Sequence, residues 1–370
     1  MVGVNLSEIA MPKTIRAALC HEHGAPLSIE EITLRDAAAG EVEVTLDAVA
    51  ICHSDISYME GAWGGDLPAV YGHEAAGRVT AVGDGVALSV GDRVIVTLAK
   101  SCGQCPSCAS AQPMYCGGNT PEAQVLTTTS GGPVVKAMNC GAFAEAVVVH
   151  ASQTAPIGDD IPSDVACLLA CGVPTGVGAA INTAKVKPGD KVVVIGAGGV
   201  GLNAIQGARI AGAARIVAMD LEEKKLTDAL EFGATDTLPA QTKEPWKALS
   251  KILGGTLADH VFVSVGAIPA YESALRLLAP RGTAYAVGMP HSGDTTPYEP
   301  VVLAATGQGI RGSFLGEIVL KRDIPWMVDL YSQGRLKLDE LVSARWTLDQ
   351  INEAIADTNS GQARRNVITF

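Results

Sequence analysis

The chain has 370 residues, 48% hydrophobic and 18% charged, with a formal net charge of -12. That length exceeds one ordinary core, so two domains are expected, and the acidic balance excludes the clustered basic surface that nucleic acid requires. The opening MVGVNLSEIAMPK has no basic segment followed by an apolar run, and the apolar windows near 165–181 and 191–205 are interrupted by Pro174 and glycine turns, so neither a signal peptide nor a membrane span is expected, and the location expected is cytoplasmic.

Residues 13–100 read as β-rich. EVEVTLDAVA (41–50), GRVTAVG (77–83) and DRVIVTL (92–98) alternate and are separated by turn residues, which predicts strands of a barrel-like, partly antiparallel domain. Between the first two runs lies the first chemical signal, Cys52 with Asp55 three residues on, then His73-Glu74 among glycines. Thiolate and imidazole are the ligands zinc prefers, and a catalytic zinc keeps one position open.

The next signal is Cys102-x2-Cys105-x2-Cys108-x7-Cys116. Four sulfurs saturate a tetrahedral zinc, so this loop predicts a sealed, structural site. Nine cysteines without a secretory signal point to metal ligation rather than disulfides. The polar, Thr/Gly-rich stretch 119–140 is expected to be surface loop, FAEAVVVH (143–150) a strand, and SDVACLLACG (163–172) helical. That last segment carries Cys167 and Cys171, one turn apart, and periodicity does not distinguish a ligand from a core thiol there.

At residue 190 the pattern changes. DKVVVIG (190–196), RIVAMD (215–220), HVFVSVG (260–266) and TAYAVGM (283–289) are apolar strands that alternate with helical runs at 201–212, 223–233 and 269–280, which predicts a parallel, doubly wound sheet. Helices are expected near 322–335 and 347–359, then a short strand, NVITF. Gly196-Ala197-Gly198-Gly199-Val200-Gly201 fits G-x-G-x-x-G directly after a strand and at the start of a helix, where bare backbone can approach a pyrophosphate. Asp220 ends the second strand, about 20 residues beyond the last glycine, where a carboxylate would bind ribose hydroxyls and repel a 2′-phosphate. The cofactor expected is therefore NAD, with Lys225 adding a bond to the adenosine ribose.

The order of these segments, Cys52-His53-Ser54-Asp55, GHEAAG (72–77), the four-cysteine loop, LLACGVPTG (168–176) and GAGGVG (196–201), resembles the zinc-containing medium-chain alcohol dehydrogenases. The resemblance covers nearly the whole chain, to RRNVITF. It implies an α/β architecture: a GroES-like β-barrel catalytic domain, 1–172 with 315–370 returning to it, and a Rossmann NAD-binding domain, 173–314. It also implies a catalytic zinc on Cys52, His73 and Cys171, with Glu74 able to approach the metal and Asp55 holding the His73 ring. Ser54 would take the alcohol proton toward the cofactor ribose, and His53 and Arg365 would face the pyrophosphate. Thr175 and Val200 would press on the nicotinamide, and the backbones of Val287, Ser313 and Leu315 would receive its carboxamide. Trp63 and Leu98 would line the substrate pocket.

The reaction so implied is hydride transfer between alcohols and NAD, with two zinc ions per chain, and the assembly a homodimer or homotetramer joined through the sheet edge near 283–320. Three departures from the pattern matter. Ser57 stands where many members end the proton relay in histidine, and Leu98 where many carry an aromatic wall. Trp63 and Thr120 replace the acidic residue and the arginine of the glutathione-dependent formaldehyde dehydrogenases. The expectation is therefore medium-sized primary alcohols and aldehydes. The alternatives are an enzyme working mainly as an aldehyde or ketone reductase, a dehydrogenase of S-hydroxymethyl thiol adducts, and a non-enzymatic NAD-binding protein.

Overall fold

The computed structural model describes residues 13–118 and 123–370, so Thr120 lies outside the described residues. Three sheets organise the chain. Lys13–Cys20, Ser28–Leu34, Leu126–Thr128, Pro133–Lys136 and Ala69–Val70 close a small barrel. A seven-stranded sheet runs Thr154–Pro156, Arg93–Thr97, Glu74–Val82, Glu41–Ala50, Arg365–Thr369, Val342–Trp346, with Ala146–His150 also paired to Glu41–Ala50. Its centre therefore joins both ends of the chain, Val367 opposite Ala50 in antiparallel register.

The third sheet has six parallel strands in the order Asp236–Pro239, Arg215–Asp220, Lys191–Ile195, Ala258–Val263, Leu278–Ala286, Gly309–Gly312. Its central strand reads KVVVI because both faces are covered. Val192 and Val194 join the core shared with the first domain, while Val193 and Ile195 join the core on the far face.

The strand reading holds closely for this sheet; Arg215–Asp220 has the expected bounds, and the helices Gly199–Ala211 and Glu223–Phe232 follow their strands. The expected helix 269–280 is shorter, Ile268–Ala274 with one further turn, because Leu278 already begins the fifth strand. The stretch 119–140 is not simply surface loop. Leu126–Thr128 and Pro133–Lys136 form a hairpin of the barrel that buries Leu126 and Val134, with Gly131 at φ 89 in the turn. The polar residues that suggested a loop supply its turn and solvent face.

The apolar 163–183 region is a bent pair of helical segments, and among the described residues no single helix is long and apolar enough to cross a membrane. Its second half, Gly172–Thr183, opens with the helix Gly172–Gly178, which contains three glycines in seven residues. Each is a contact surface. A Cβ on Gly176 would lie 2.3 Å from the Val200 carbonyl oxygen, and one on Gly178 2.4 Å from that of Gly316. Poor helix formers are tolerated because the backbone must approach other backbone this closely.

Candidate metal and cofactor site

Cys52 caps the short helix His53–Met59, His73 precedes the strand Glu74–Val82, and Cys171 caps Gly172–Gly178. These three elements bring the Cys52, His73, Glu74 and Cys171 donor atoms within 4.8 Å of one another, all buried. Asp55 explains how the group is held. One turn into its helix, it accepts the Cys52 N–H at 3.2 Å, the Gly72 N–H at 2.9 Å and the His73 Nδ1–H at 2.8 Å. Fixing the proton on Nδ1 leaves Nε2 as the donor atom. His73 Nε2 is buried and has no hydrogen-bond partner among the described residues.

Electrostatics describe the same cavity. The neighbouring Cys171 thiol holds Cys52 well below the usual thiol range, while the same proximity and burial push Cys171 up. Burial pushes the Glu74 carboxyl up to about 7, opposed by the Arg365 guanidinium with which it forms an ion pair. Two converging sulfurs and an orphaned imidazole nitrogen in a buried cavity fit a zinc ion with one position left for substrate. Cys167 is buried away from this group, its thiol donating to the Asp164 carbonyl at 3.3 Å.

The four sulfurs of Cys102, Cys105, Cys108 and Cys116 also lie within 4.8 Å of one another, half-buried. Backbone N–H groups point at them, Cys105 to Cys102 Sγ at 3.3 Å and Cys102 to Cys116 Sγ at 3.3 Å. A Cβ on Gly118 would sit 2.5 Å from Cys102 Sγ. This closed set of four sulfurs fits a structural zinc.

The glycine turn lies beside the first cavity. Gly196 adopts φ 96, a Cβ on Gly201 would stand 1.8 Å from the Gly196 carbonyl oxygen, and one on Gly198 would meet nothing within 4 Å. Open space over Gly198 at a helix N-terminus fits a pyrophosphate. Arg365 borders the same space: a Cβ on Gly199 would lie 2.7 Å from its Cδ, and its buried Nε has no hydrogen-bond partner among the described residues. The arginine thus spans the glycine turn and Glu74. Gly201→Ala should weaken NADH binding roughly a hundredfold, about 2.7 kcal/mol, read by nicotinamide fluorescence, with the zinc content unchanged.

The remaining positions divide into those facing this space and those with other partners. Thr175 Oγ1 is 3.9 Å from Cys171 Sγ, and Val200 is half-buried in the first turn of the helix Gly199–Ala211. Asp220 does more than end its strand: its carboxylate accepts the Ala197 N–H at 2.7 Å and the Glu222 N–H at 3.1 Å, so it also pins the glycine turn. Lys225 pairs with Glu222 at 3.1 Å. The Val287 and Ser313 N–H groups are taken by the Val263 and Ala286 carbonyls, so these two residues would offer a ligand their carbonyls.

On the catalytic side, Ser54 is half-buried and His53 exposed. Leu98 is half-buried, its carbonyl accepting from the Asn139 side chain at 3.2 Å. Trp63 donates Nε1–H to the Pro290 carbonyl at 3.0 Å, a contact between sequence-distant segments that no local pattern signals.

With this geometry in place, the similarity to known proteins is specific. The alcohol dehydrogenase GroES-like domain model matches residues 38–159, and the zinc-binding dehydrogenase model matches residues 199–333. S-(hydroxymethyl)glutathione dehydrogenase of Komagataella pastoris is 36% identical over 371 residues, 96% of this chain and 97% of that protein. Alcohol dehydrogenase class-3 of Pisum sativum is 34% identical, with 96% and 97% covered. Among solved structures, an alcohol dehydrogenase zinc-binding domain protein from Burkholderia ambifaria matches with TM-score 0.92 at 34% identity, covering 97% of this chain and all of that one. Benzyl alcohol dehydrogenase from Acinetobacter calcoaceticus matches with TM-score 0.90 at 31% identity, with 97% and 99% covered.

Proposed function

The chain belongs to the zinc-containing medium-chain alcohol dehydrogenases, and from that premise we propose that it oxidises medium-sized primary alcohols, and reduces their aldehydes, with NAD. The observation that carries the reading is the buried convergence of Cys52, His73 and Cys171 beside the glycine turn, with Arg365 reaching both. In this reading the catalytic domain comprises 1–172 and 315–370, and the NAD-binding domain 173–314.

Zinc bound there supplies Lewis-acid polarisation, which lowers the pKa of bound water from 15.7 to about 7 and acidifies an alcohol in the same sense. The protein's own groups do the rest. Asp55 keeps the His73 proton on Nδ1, Ser54 takes the alcohol proton toward the ribose, and Asp220 receives the ribose hydroxyls. Arg365 and the first turn of Gly199–Ala211 meet the pyrophosphate, His53 lying on the same side. Thr175 and Val200 press the nicotinamide toward the substrate, and Val287, Ser313 and Leu315 take its carboxamide. Trp63 and Leu98 shape the pocket, and an aliphatic wall at 98 leaves room for branched or ring-bearing alcohols.

The solved relative named for benzyl alcohol agrees with that room. One relative is named S-(hydroxymethyl)glutathione dehydrogenase, so that adduct belongs in the substrate panel. Rates with a panel of alcohols and aldehydes, followed at the nicotinamide absorbance, test the proposal. A preference for the thiol adduct over every simple alcohol would overturn it.

Ser57 leaves the relay without a histidine. Ser57→His should raise alcohol oxidation roughly tenfold just above neutral pH by supplying a general base, the gain fading as the imidazole protonates below its ordinary pKa of about 6.5, and an unchanged pH–rate profile would remove position 57 from the relay. We further propose a homodimer or homotetramer. The outer edge of Gly309–Gly312 has no strand partner among the described residues, and Ile310, Tyr298 and Val301 beside it are 51%, 55% and 70% exposed. Thiolate-rich zinc sites also favour a reducing compartment such as the cytoplasm.

A further inference from the structure

Glu317 occupies an uncommon backbone position. With Leu315 at φ 49, Gly316 at φ 63 and Glu317 at φ 51, three consecutive residues are left-handed. A side-chain-bearing residue there is strained, because its Cβ crowds the following carbonyl oxygen. Gly316 cannot be otherwise, since a Cβ would lie 2.3 Å from the Pro174 carbonyl oxygen. Glu317 has no such need for glycine-like space, and its side chain, not its backbone, accounts for its presence.

That side chain is a junction. Arg311 Nη2 donates to both carboxylate oxygens, at 2.8 and 2.9 Å, and the same guanidinium donates to the Thr183 carbonyl at 3.1 Å. The Tyr115 hydroxyl donates to Glu317 Oε1 at 3.2 Å. Tyr115 immediately precedes Cys116, so this bond leaves the four-cysteine loop itself. Glu317 therefore ties together the four-cysteine loop, the last parallel strand and the end of the 172–183 helical run.

The tie bears on ligand binding through Leu315. The segment 313–317 leaves the carboxyl end of the last parallel strand, where open α/β sheets receive their ligands. Ser313 Oγ bonds Thr183 Oγ1 at 2.8 Å, the Gly316 carbonyl accepts from Asn182 Nδ2 at 3.2 Å and Leu315 is buried, and Glu317's partners hold the far end of the segment.

We propose that Glu317 is a positioning residue that sets the 313–317 turn for the nicotinamide and, through Tyr115, couples the order of the four-cysteine loop to NAD binding. This rests on the reading that NAD is the cofactor and meets Leu315. It predicts a separation of stability from cofactor affinity that a merely structural residue would not give.

The test uses the zinc-loaded protein and its Glu317→Gly, Tyr115→Phe and double variants, with NADH fluorescence titration, thermal melting and steady-state kinetics. Glu317→Gly relieves the backbone and loses the Arg311 and Tyr115 bonds, so the two effects oppose each other and its Tm should stay close to that of the parent. Its NADH complex should nevertheless weaken roughly tenfold, the scale of one charge-assisted hydrogen bond. KM for NAD should rise while KM for the alcohol stays. Tyr115→Phe should give a smaller loss of the same kind, and the double variant should be no weaker than Glu317→Gly, because both act through one contact. NADH affinity within twofold of the parent in both single variants would overturn the proposal, as would a loss matched by falling Tm and a rising alcohol KM. A parent protein that binds no NADH would instead sink the cofactor reading beneath it.

Discussion

Cys171→Ala should leave about one zinc per chain instead of two and lower kcat/KM for alcohol oxidation by about 10³-fold or more, the scale of several kcal/mol of transition-state stabilisation from a metal. The reason is geometric. Cys171 is one of two sulfurs in a buried set that also holds His73 Nε2, and Cys52 and His73 cannot hold the ion against dialysis while Glu74 is paired with Arg365. The four-cysteine loop shares no residue with this set and should keep its metal. Cys167→Ala is the control. Its thiol meets the Asp164 carbonyl and core side chains, so zinc should stay at two, with only about 1–2 kcal/mol of packing lost. Metal analysis after dialysis, with rates on the same samples, separates the two.

Asp55→Ala should have the second largest effect. The buried carboxylate accepts from Cys52 N, Gly72 N and His73 Nδ1, so truncation orphans three donors, each costing about 1–3 kcal/mol. A fall in Tm and a 10–100-fold weaker catalytic zinc, the usual scale for a partner of a ligating histidine, are expected together. Asp55→Asn divides these effects. Its carbonyl oxygen still accepts one or two donors and so spares much of the Tm, while the lost charge lowers the basicity of the imidazole and the activity. A Tm and metal affinity both unchanged in Asp55→Asn would mean that the carboxylate's charge is not needed.

What the sequence disclosed follows from how far apart the interacting groups lie along it. Glycine spacing after an apolar strand marks the cofactor turn because the constraint is local: the clash at Gly201 is with Gly196. The four-cysteine loop is legible for the same reason. The hairpin at 126–136 was not, because only Leu126 and Val134 turn inward and a three-residue strand offers no period to detect. The Asp220 bond to Ala197, the Trp63 bond to Pro290 and the left-handed Glu317 are likewise invisible locally, since each depends on a partner that only the fold supplies. Cys171 stands between these cases. Its helical context cannot distinguish it from Cys167; the difference is that Cys171 ends one helical segment and caps the next, so its side chain turns toward His73.

The strand Arg365–Thr369 has a consequence in time as well as space. It pairs with Glu41–Ala50, and Arg365 carries a charge to Glu74 and to the edge of the glycine turn. Synthesis proceeds from the amino end, so Cys52, His73, Cys171 and the glycine turn all emerge before the residue that joins them. The four-cysteine loop is complete in composition once Cys116 has left the ribosome. The two metals can therefore be acquired in sequence, the sealed one by a nascent chain and the reactive one in its finished setting only when the last strand has closed the sheet.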